Sequence, residues 1–330
     1  MSLSVLFIGG TGVISSACVD AAVRAGMDVT TLNRGNSATR PVPDAVESLR
    51  ADVRDAGAVR RVLAGRRFDA VADFLTFTAE QARANVKVFS GRAGQFLFIS
   101  SASAYQTPPQ RLPVVESTPL RNPMSQYSRD KIACEELLTE AYRTTGFPVT
   151  IVRPSHTYDP THVPLMSGWT DVERMRRGHE VVVHGDGTSL WTLTHHTDFA
   201  TAFTGLLGNP LAVGDGFHIT SDEVLSWNQI YELMGSAAGA KPRLVHVPSD
   251  TIAAVEPELS APLLGDKTHS MVFDNTKIKR LVPGWTARTP FSEGARQIVA
   301  WHDADPRRKT VDRAADTLWD GLIAAMAKVR

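Results

Sequence analysis

Two side chains four positions apart, Tyr127 and Lys131, are the pair in this chain best suited to chemistry. They stand in Ser125-Gln126-Tyr127-Ser128-Arg129-Asp130-Lys131, which opens a helical pattern running through Glu135, Leu138 and Tyr142 to Gly146, so they share one helix face. An ammonium beside a phenol favours the phenolate, which brings a group of ordinary pKa about 10 into range as a general acid or base near neutrality. Upstream, Gln95-Phe96-Leu97-Phe98-Ile99 reads as a buried strand that runs into Ser100-Ser101-Ala102-Ser103-Ala104-Tyr105, a row of hydroxyls at a strand end. A third feature is Val5-Leu6-Phe7-Ile8-Gly9-Gly10-Thr11-Gly12-Val13-Ile14-Ser15, an apolar run that breaks into glycines and resumes at helical spacing. It reads as strand, tight turn and helix: Gly9 permits the turn, Gly12 lets backbone approach a pyrophosphate, and the helix start aims free N–H groups at that anion. Ser15 stands where the third glycine of such a turn is usual, a position that governs close packing of helix on strand.

These groups need a scaffold that brings strand ends together, and the first half of the chain alternates accordingly. Asp28 to Leu32 is a second β-rich run, ending in Asn33-Arg34-Gly35 at the distance where dinucleotide folds place the residue that reads the adenosine ribose. An acid there would bond the 2′-hydroxyl of NAD; neutral Asn33 and cationic Arg34 suit a 2′-phosphate instead, so NADP is favoured over NAD. A solvated surface arginine is the plainer alternative for Arg34. After a polar connection over 37–44 come Val46 to Arg50 and Asp52-Val53-Arg54-Asp55, a third strand ending beside an adenine pocket. Ala56 to Leu63 is helical, Phe68 to Leu75 a strand and Ala79 to Phe89 a helix. This rhythm predicts an α/β fold, a Rossmann-like doubly wound parallel sheet with ligands at the carboxyl ends of its strands. A proline-rich loop with Pro108, Pro109, Pro113, Pro119 and Pro123 is long enough to be a lid.

With 330 residues, 43% hydrophobic and 21% charged, the chain reads as soluble and globular, large enough for one big domain or two smaller ones. Lys+Arg 35 balances Asp+Glu 35, so no global field draws it to nucleic acid or anionic lipid. Cys18 and Cys134 fall in helical segments as small apolar filler, not as a disulfide or metal framework. Neither a signal peptide nor a membrane span is apparent, which leaves a cytoplasmic address as the expectation. His195, His196 and Asp198 do not make a metal site, because adjacent histidines point to different faces and no fourth ligand is spaced to join them; no metal is expected.

The glycine turn, the stretch Asp52 to Asp55, the Ser-rich strand end and the Tyr-x-x-x-Lys helix, together with Arg153-Pro154-Ser155-His156-Thr157-Tyr158, resemble in order and spacing the extended short-chain dehydrogenase/reductase family, the NAD(P)-dependent epimerase/dehydratase group. The resemblance covers essentially the whole chain. It implies that Ser101 bonds the reacting oxygen, Tyr127 transfers the proton, and Lys131 holds the nicotinamide ribose and depresses the tyrosine pKa. It likewise implies cofactor contacts from Gly9, Thr11, Gly12, Val13, Ile14, Asn33, Arg34, Asp52 and Val53, with hydride passing between substrate carbon and nicotinamide. Sugar 4,6-dehydratases of the family carry an Asp-Glu pair where this chain has Ala102 and Ser103, so an epimerase or ketoreductase acting on a sugar-like secondary alcohol or ketone is expected, with Ser103 able to touch substrate. His156 stands where the family has a substrate-contacting asparagine, and Trp191 where nucleotide-sugar enzymes have an arginine that binds the diphosphate. An indole cannot replace a guanidinium on a diphosphate, so Trp191 either stacks on a sugar or base or fills core, and the expected substrate is smaller or less anionic than a nucleoside-diphosphate hexose. Some relatives of this fold are non-catalytic dinucleotide sensors or RNA-associated proteins, the alternative to an enzyme. The family also implies a homodimer packed through the helices Ala79 to Phe89 and Tyr127 to Gly146.

The expected division is 1–155 for the NAD(P)-binding domain, also receiving 190–220, and 156–330 mainly for substrate binding. In the second half Trp169 to Arg177, Thr197 to Leu207, Trp227 to Ala238, Asp274 to Leu281 and Pro290 to His302 read as helices. Glu180 to His184 and Phe217 to Thr220 read as strands, and 307–330 as an amphipathic, docked final helix.

Overall fold

Val5, Leu6, Phe7 and Ile8 are all buried, and they split between two cores because successive strand residues point to opposite faces. In the computed structural model, which describes residues 2–35 and 39–328, this run is strand β1 (Ser4–Ile8). Val5 and Phe7 pack with Cys18, Val19, Phe199 and Phe203 on one side. Leu6 and Ile8 pack with Val59, Phe89, Cys134 and Leu138 on the other. A strand buried on both faces is the mark of a parallel sheet covered by two helical layers.

The first half runs β1, α1 (Val13–Arg24), β2 (Asp28–Asn33), β3 (Glu47–Arg50), α2 (Ala56–Leu63), β4 (Phe68–Asp73), α3 (Ala79–Phe89), β5 (Ala93–Ile99), α4 (Gln126–Thr145) and β6 (Val149–Pro154). The second runs β7 (His156–Tyr158), α5 (Trp169–Arg176), β8 (Glu180–His184), β9 (Leu190–Trp191), β10 (Leu193–His195), α6 (His196–Leu206), β11 (Gly216–Ile219), β12 (Leu225–Ser226), α7 (Trp227–Ala237) and β13 (Arg243–Val247). It finishes with α8 (Ser249–Val255), α9 (Ser260–Pro262), α10 (Thr276–Leu281), α11 (Phe291–Asp303) and α12 (Arg313–Ala327). The main sheet has seven strands in the order β11-β6-β5-β4-β1-β2-β3, every neighbouring pair parallel. The chain is therefore the doubly wound α/β fold expected of it, with the direction of winding reversing between β1 and β4, where such sheets open their ligand crevice. No described helix is long and apolar enough to cross a membrane.

Helix α4 carries the tyrosine and lysine, and its ends are set by local chemistry. Ser125 Oγ accepts from Ser128 N at 3.2 Å, and Gly146 ends the helix at φ +71°, a left-handed conformation that a side chain disfavours. Ser128, Lys131, Cys134, Glu135 and Leu138 form its buried stripe at three- and four-residue spacing. Lys131 is thus a core position by its place on the helix.

Two expectations need correction. The segment Asp52 to Asp55 is not strand: β3 stops at Arg50, Asp52 turns to pair with Arg54, and Asp55 caps α2 by accepting from Ala58 N at 2.9 Å. Of the connection over 37–44, residues 37 and 38 lie outside those described. The proline-rich loop is no free lid, since Tyr105 bridges to Leu120, Val114 N donates to Val272 O at 2.7 Å, and Val114 and Asn122 are buried. Both cysteines are buried and unpaired with each other, as filler requires.

The second half contributes β11, which returns to the main sheet beside β6, and three small two-stranded sheets. Strand β9 pairs with β12 and β10 pairs with β7, which sets Trp191 against His156. A separate core under β8 and β13 takes Trp319 and Leu322 of α12, so the final helix is docked; residues 329 and 330 of the predicted stretch lie outside those described.

Candidate active site

Two cavities meet at Ser101, Tyr127, Pro154 and Ser155, which line both. The larger, about 790 Å³, runs along the carboxyl ends of β1, β2 and β4 past Gly9, Thr11, Gly12, Ile14, Asn33, Arg34, Asp52, Val53 and Lys131. The smaller, about 510 Å³, is walled by Ser103, His156, Trp191, Thr192, Asp266 and Phe273 among others. Of the residues predicted for a cofactor, Val13, the first residue of α1, alone does not line the cleft.

The glycine turn is built as its residues require. Gly9 and Gly10 hold φ of +112° and +94°, and a Cβ on Gly10 would lie 3.0 Å from Thr31 Cγ2. Ser15 is buried and does more than tolerate close packing: its Oγ accepts from Gly12 N at 2.8 Å. One of the N–H groups expected to face an anion is therefore already bonded. At the far end of the cleft Arg34 is exposed, Asn33 Oδ1 accepts from Gly35 N at 2.8 Å, and Arg50 lies over Gly35, its Nε 3.2 Å from where a Cβ would be. Asp52 is engaged by Arg54 at 2.7 Å, which holds its carboxyl below the usual range.

Lys131 is 2% exposed, and its ammonium donates to Thr76 O at 2.6 Å and Ile99 O at 2.7 Å. It faces the rings of Phe77, Phe98 and Tyr127 at 4.6, 4.9 and 5.8 Å. Burial pushes its pKa down to about 8, with the buried carboxylate Asp73 opposing. Asp73 itself organises the turn after β4, accepting from Leu75 N, Thr76 Oγ1 and Asn85 Nδ2 at 2.9, 2.6 and 2.8 Å. Thr76 is thereby fixed as an acceptor for Lys131, a placement that no spacing in the sequence announces.

The expected depression of the tyrosine pKa is not a property of the free protein. Tyr127 is 45% exposed, yet its phenol is raised above the ordinary value, first by desolvation and further by the negative charge of Asp266, while Ser101 opposes. The reason is geometric: two carbonyls hold the ammonium of Lys131, and it stacks over the ring. Beside the phenol lies a chain of hydroxyls. Ser128 Oγ donates to Ser103 Oγ at 2.9 Å, and Ser103 Oγ is 2.9 Å from Ser101 Oγ. Asn122 secures this chain by donating to Ser103 O at 3.0 Å and to Gly265 O at 2.7 Å. Asn122 and Ser128 belong to the site on these bonds; in the sequence they are one polar residue in a proline-rich loop and one more serine.

His156 Nδ1 accepts from Trp191 Nε1 at 3.1 Å, and burial holds this imidazole well below its usual pKa, with Lys267 adding to the effect. Neutral His156 and buried Trp191 together form one wall of the smaller cavity, so the indole is both packed and available to a ligand. His195 and His196 lie elsewhere: His195 bonds Thr197 and Gln297. Among the described residues no group of three metal-ligating side chains converges.

Because Lys131 titrates near 8 in the free protein, its positive charge is present below that pH and lost above it. Dinucleotide affinity is accordingly expected to fall as pH rises through about 8. Binding titrations of the parent and Lys131→Met across pH check this: the variant should bind weakly at every pH and lack the limb.

The sequence pattern of the NAD dependent epimerase/dehydratase family matches residues 5–219. Among characterised relatives, 2′-dehydrokanamycin reductase of Streptomyces kanamyceticus is 29% identical over 290 residues, 87% of this chain and 81% of that protein. Chloroplast stem-loop binding protein of 41 kDa b of Arabidopsis thaliana is 26% identical over 255 residues, 73% of this chain and 65% of that one. In three dimensions the chain is similar to UDP-glucose 4-epimerase of Bifidobacterium longum, solved in complex with NAD+ and UDP, with TM-score 0.73 and 21% identity over 92% of this chain and 99% of that one.

Proposed function

The chain belongs to the NAD dependent epimerase/dehydratase family, and from that membership we propose that it reduces a ketone, or oxidises the matching secondary alcohol, of a sugar-like substrate with NADP(H). The observation that carries this reading is the shared wall: Ser101 and Tyr127 stand where the dinucleotide-sized cleft opens into the second cavity. The glycine turn, the cleft and Lys131 fit a nicotinamide dinucleotide, with Gly9, Thr11, Gly12 and Ile14 at its phosphates, Asn33, Arg34, Asp52 and Val53 at its adenosine, and Lys131 at the nicotinamide ribose. When bound, such a cofactor supplies or accepts the hydride. Tyr127 would give a proton to the substrate oxygen or take one from it, Ser101 would donate a hydrogen bond to that oxygen, and the ammonium of Lys131, 5.8 Å from the Tyr127 ring centre, would favour the phenolate. Residues 1–155, with strand β11 returned from 190–220, serve the cofactor, and 156–330 mainly serve the substrate.

Reduction is preferred to 4,6-dehydration because Ala102 and Ser103 offer no acid–base pair; Ala102 is buried and Ser103 is tied into the hydroxyl chain. Epimerisation is the second reading, supported by the match to the NAD dependent epimerase/dehydratase family. Following nicotinamide absorbance with candidate ketones separates the two, since a reductase consumes one NADPH per product and an epimerase consumes none. The relative that binds a chloroplast stem-loop keeps the non-catalytic alternative in view. The joint placement of Ser101, Tyr127 and Lys131, and the balance of 35 basic and 35 acidic residues, favour the enzyme. The same reading includes a cytoplasmic setting and a homodimer through α3 and α4.

Cofactor choice is tested at Arg34. Removing a charge-assisted bond to a 2′-phosphate costs about 10- to 100-fold in affinity, so Arg34→Asp is expected to lose that much for NADP+ and to turn the preference toward NAD+. Fluorescence titration of both dinucleotides checks it; tighter NAD+ binding by the parent, unchanged in the variant, would mean that Arg34 is merely solvated.

A further inference from the structure

We infer that the substrate carries a protonated amine close to the carbon that exchanges hydride, and that Asp266 receives it. This rests on the reading of the smaller cavity as the substrate site.

Asp266 belongs to a single π turn, Leu263–Lys267, that follows α9. Such turns are rare and concentrate where a backbone must place one group against its local preference. This one is clamped to the start of α4. Asn122, the residue that secures the hydroxyl chain, donates to Gly265 O at 2.7 Å, and a Cβ on Gly265 would lie 3.0 Å from Met124 Cβ and 3.2 Å from Asn122 Oδ1. The next side chain, Asp266, lines the cavity with Tyr127 and Ser101, and its charge acts on the Tyr127 phenol.

The carboxyl of Asp266 makes no hydrogen bond or ion pair with any other described residue; burial pushes its pKa up to about 6, with the charge of Lys267 opposing. Buried carboxylates are ordinarily answered by donors from the fold, whereas a half-buried one on a cavity wall is left to water or to a ligand. Asp73, Asp159, Asp171 and Asp198 in this same chain are buried and all have such donors. Asp266, half-buried on the cavity wall, is therefore free to accept from a ligand.

The remaining charge in the cavity narrows its chemistry. Lys267, the next residue and also on the cavity wall, sets its ammonium 5.9 Å from the ring centre of Trp191. No arginine lines the cavity, and His156 is neutral. A phosphate brought to the Tyr127 end would meet a carboxylate of like charge. A neutral hydroxyl would supply a donor but no charge. A protonated amine supplies both donor and charge, the stronger class of bond.

Calorimetry of the NADP+-loaded protein with matched pairs tests this: glucosamine and glucose, 2-deoxystreptamine and scyllo-inositol, kanamycin and its fully N-acetylated form. At least one amine is expected to bind about 10- to 100-fold more tightly than its uncharged partner. Asp266→Asn should erase that preference and Asp266→Glu should retain part of it, with NADP+ titration reporting that each variant is folded. Parity of every pair in the parent protein overturns the inference without any variant, as does an amine preference that survives in Asp266→Asn. Parallel turnover assays isolate the underlying reading. Tyr127-dependent turnover of neutral sugars with no amine preference leaves the oxidoreductase standing and removes this inference. Amine binding at Asp266 in a protein that transfers no hydride to or from any candidate does the reverse.

Discussion

Tyr127→Phe is expected to lose about 10²- to 10⁴-fold in turnover while binding NADP(H) nearly as tightly as the parent, the loss typical for a positioned acid or base. The separation of the two effects follows from how the neighbours are held. Lys131 is anchored by the carbonyls of Thr76 and Ile99, and the hydroxyl chain from Ser128 through Ser103 to Ser101 is secured by Asn122. None of these bonds uses the phenolic oxygen. The ring that remains keeps its tilted contact with Phe77 at 6.4 Å, so the wall between the cavities survives. Steady-state rates alongside fluorescence titration of the cofactor read both quantities on one preparation. Turnover within a fewfold of the parent would end the assigned role.

The largest effect on stability is expected at a pair that no proton transfer requires. Arg153 on β6 bonds Glu135 of α4 through Nε at 2.9 Å and Nη2 at 2.5 Å, and both side chains are buried. Its Nη1 also donates to Tyr105 OH at 3.1 Å, and that hydroxyl lies 3.0 Å from Nδ1 of buried His218 on β11. Glu135→Ala would leave a guanidinium in the interior without its counter-charge, and is expected to lower the unfolding free energy by about 3–5 kcal/mol. Denaturant titration measures it. Replacing both partners, as Glu135→Leu with Arg153→Met, should recover much of the loss, because it is the stranded charge that costs and not the absence of the pair. A single variant no less stable than the parent would show that the pair is solvated in solution.

What could be read from the sequence is what periodicity and local chemistry encode. Double burial writes itself into Val5 to Ile8 and Phe96 to Ile99 as unbroken apolar runs, and the Ser125 cap with Gly146 frames α4, so the sheet and the tyrosine–lysine face were both visible. The fold class and family followed. What escaped depends on contacts between residues distant in the chain. Nothing near Lys131 says that Thr76 O and Ile99 O will hold its ammonium, which is why four-residue spacing overstated its hold on the Tyr127 phenol. Asn122 and Asp266 sit in segments without a repeat, and their meeting through Gly265 spans 143 positions. Strand β13, five residues long, hides in a mixed polar stretch because only its pairing with β8 makes it a strand.

The hydroxyl of Ser15 on the amide of Gly12 bears on how long a cofactor stays. A phosphate arriving at that amide must displace the Ser15 hydroxyl, whereas at a bare glycine turn it would displace only water. The net attraction at the pyrophosphate is correspondingly smaller, and departure correspondingly faster. A prosthetic dinucleotide that is reoxidised in place gains from a long residence; a co-substrate spent on every cycle must leave to be recharged. On the proposed reading, Ser15 would incline this chain toward the second regime, one of brief tenancy.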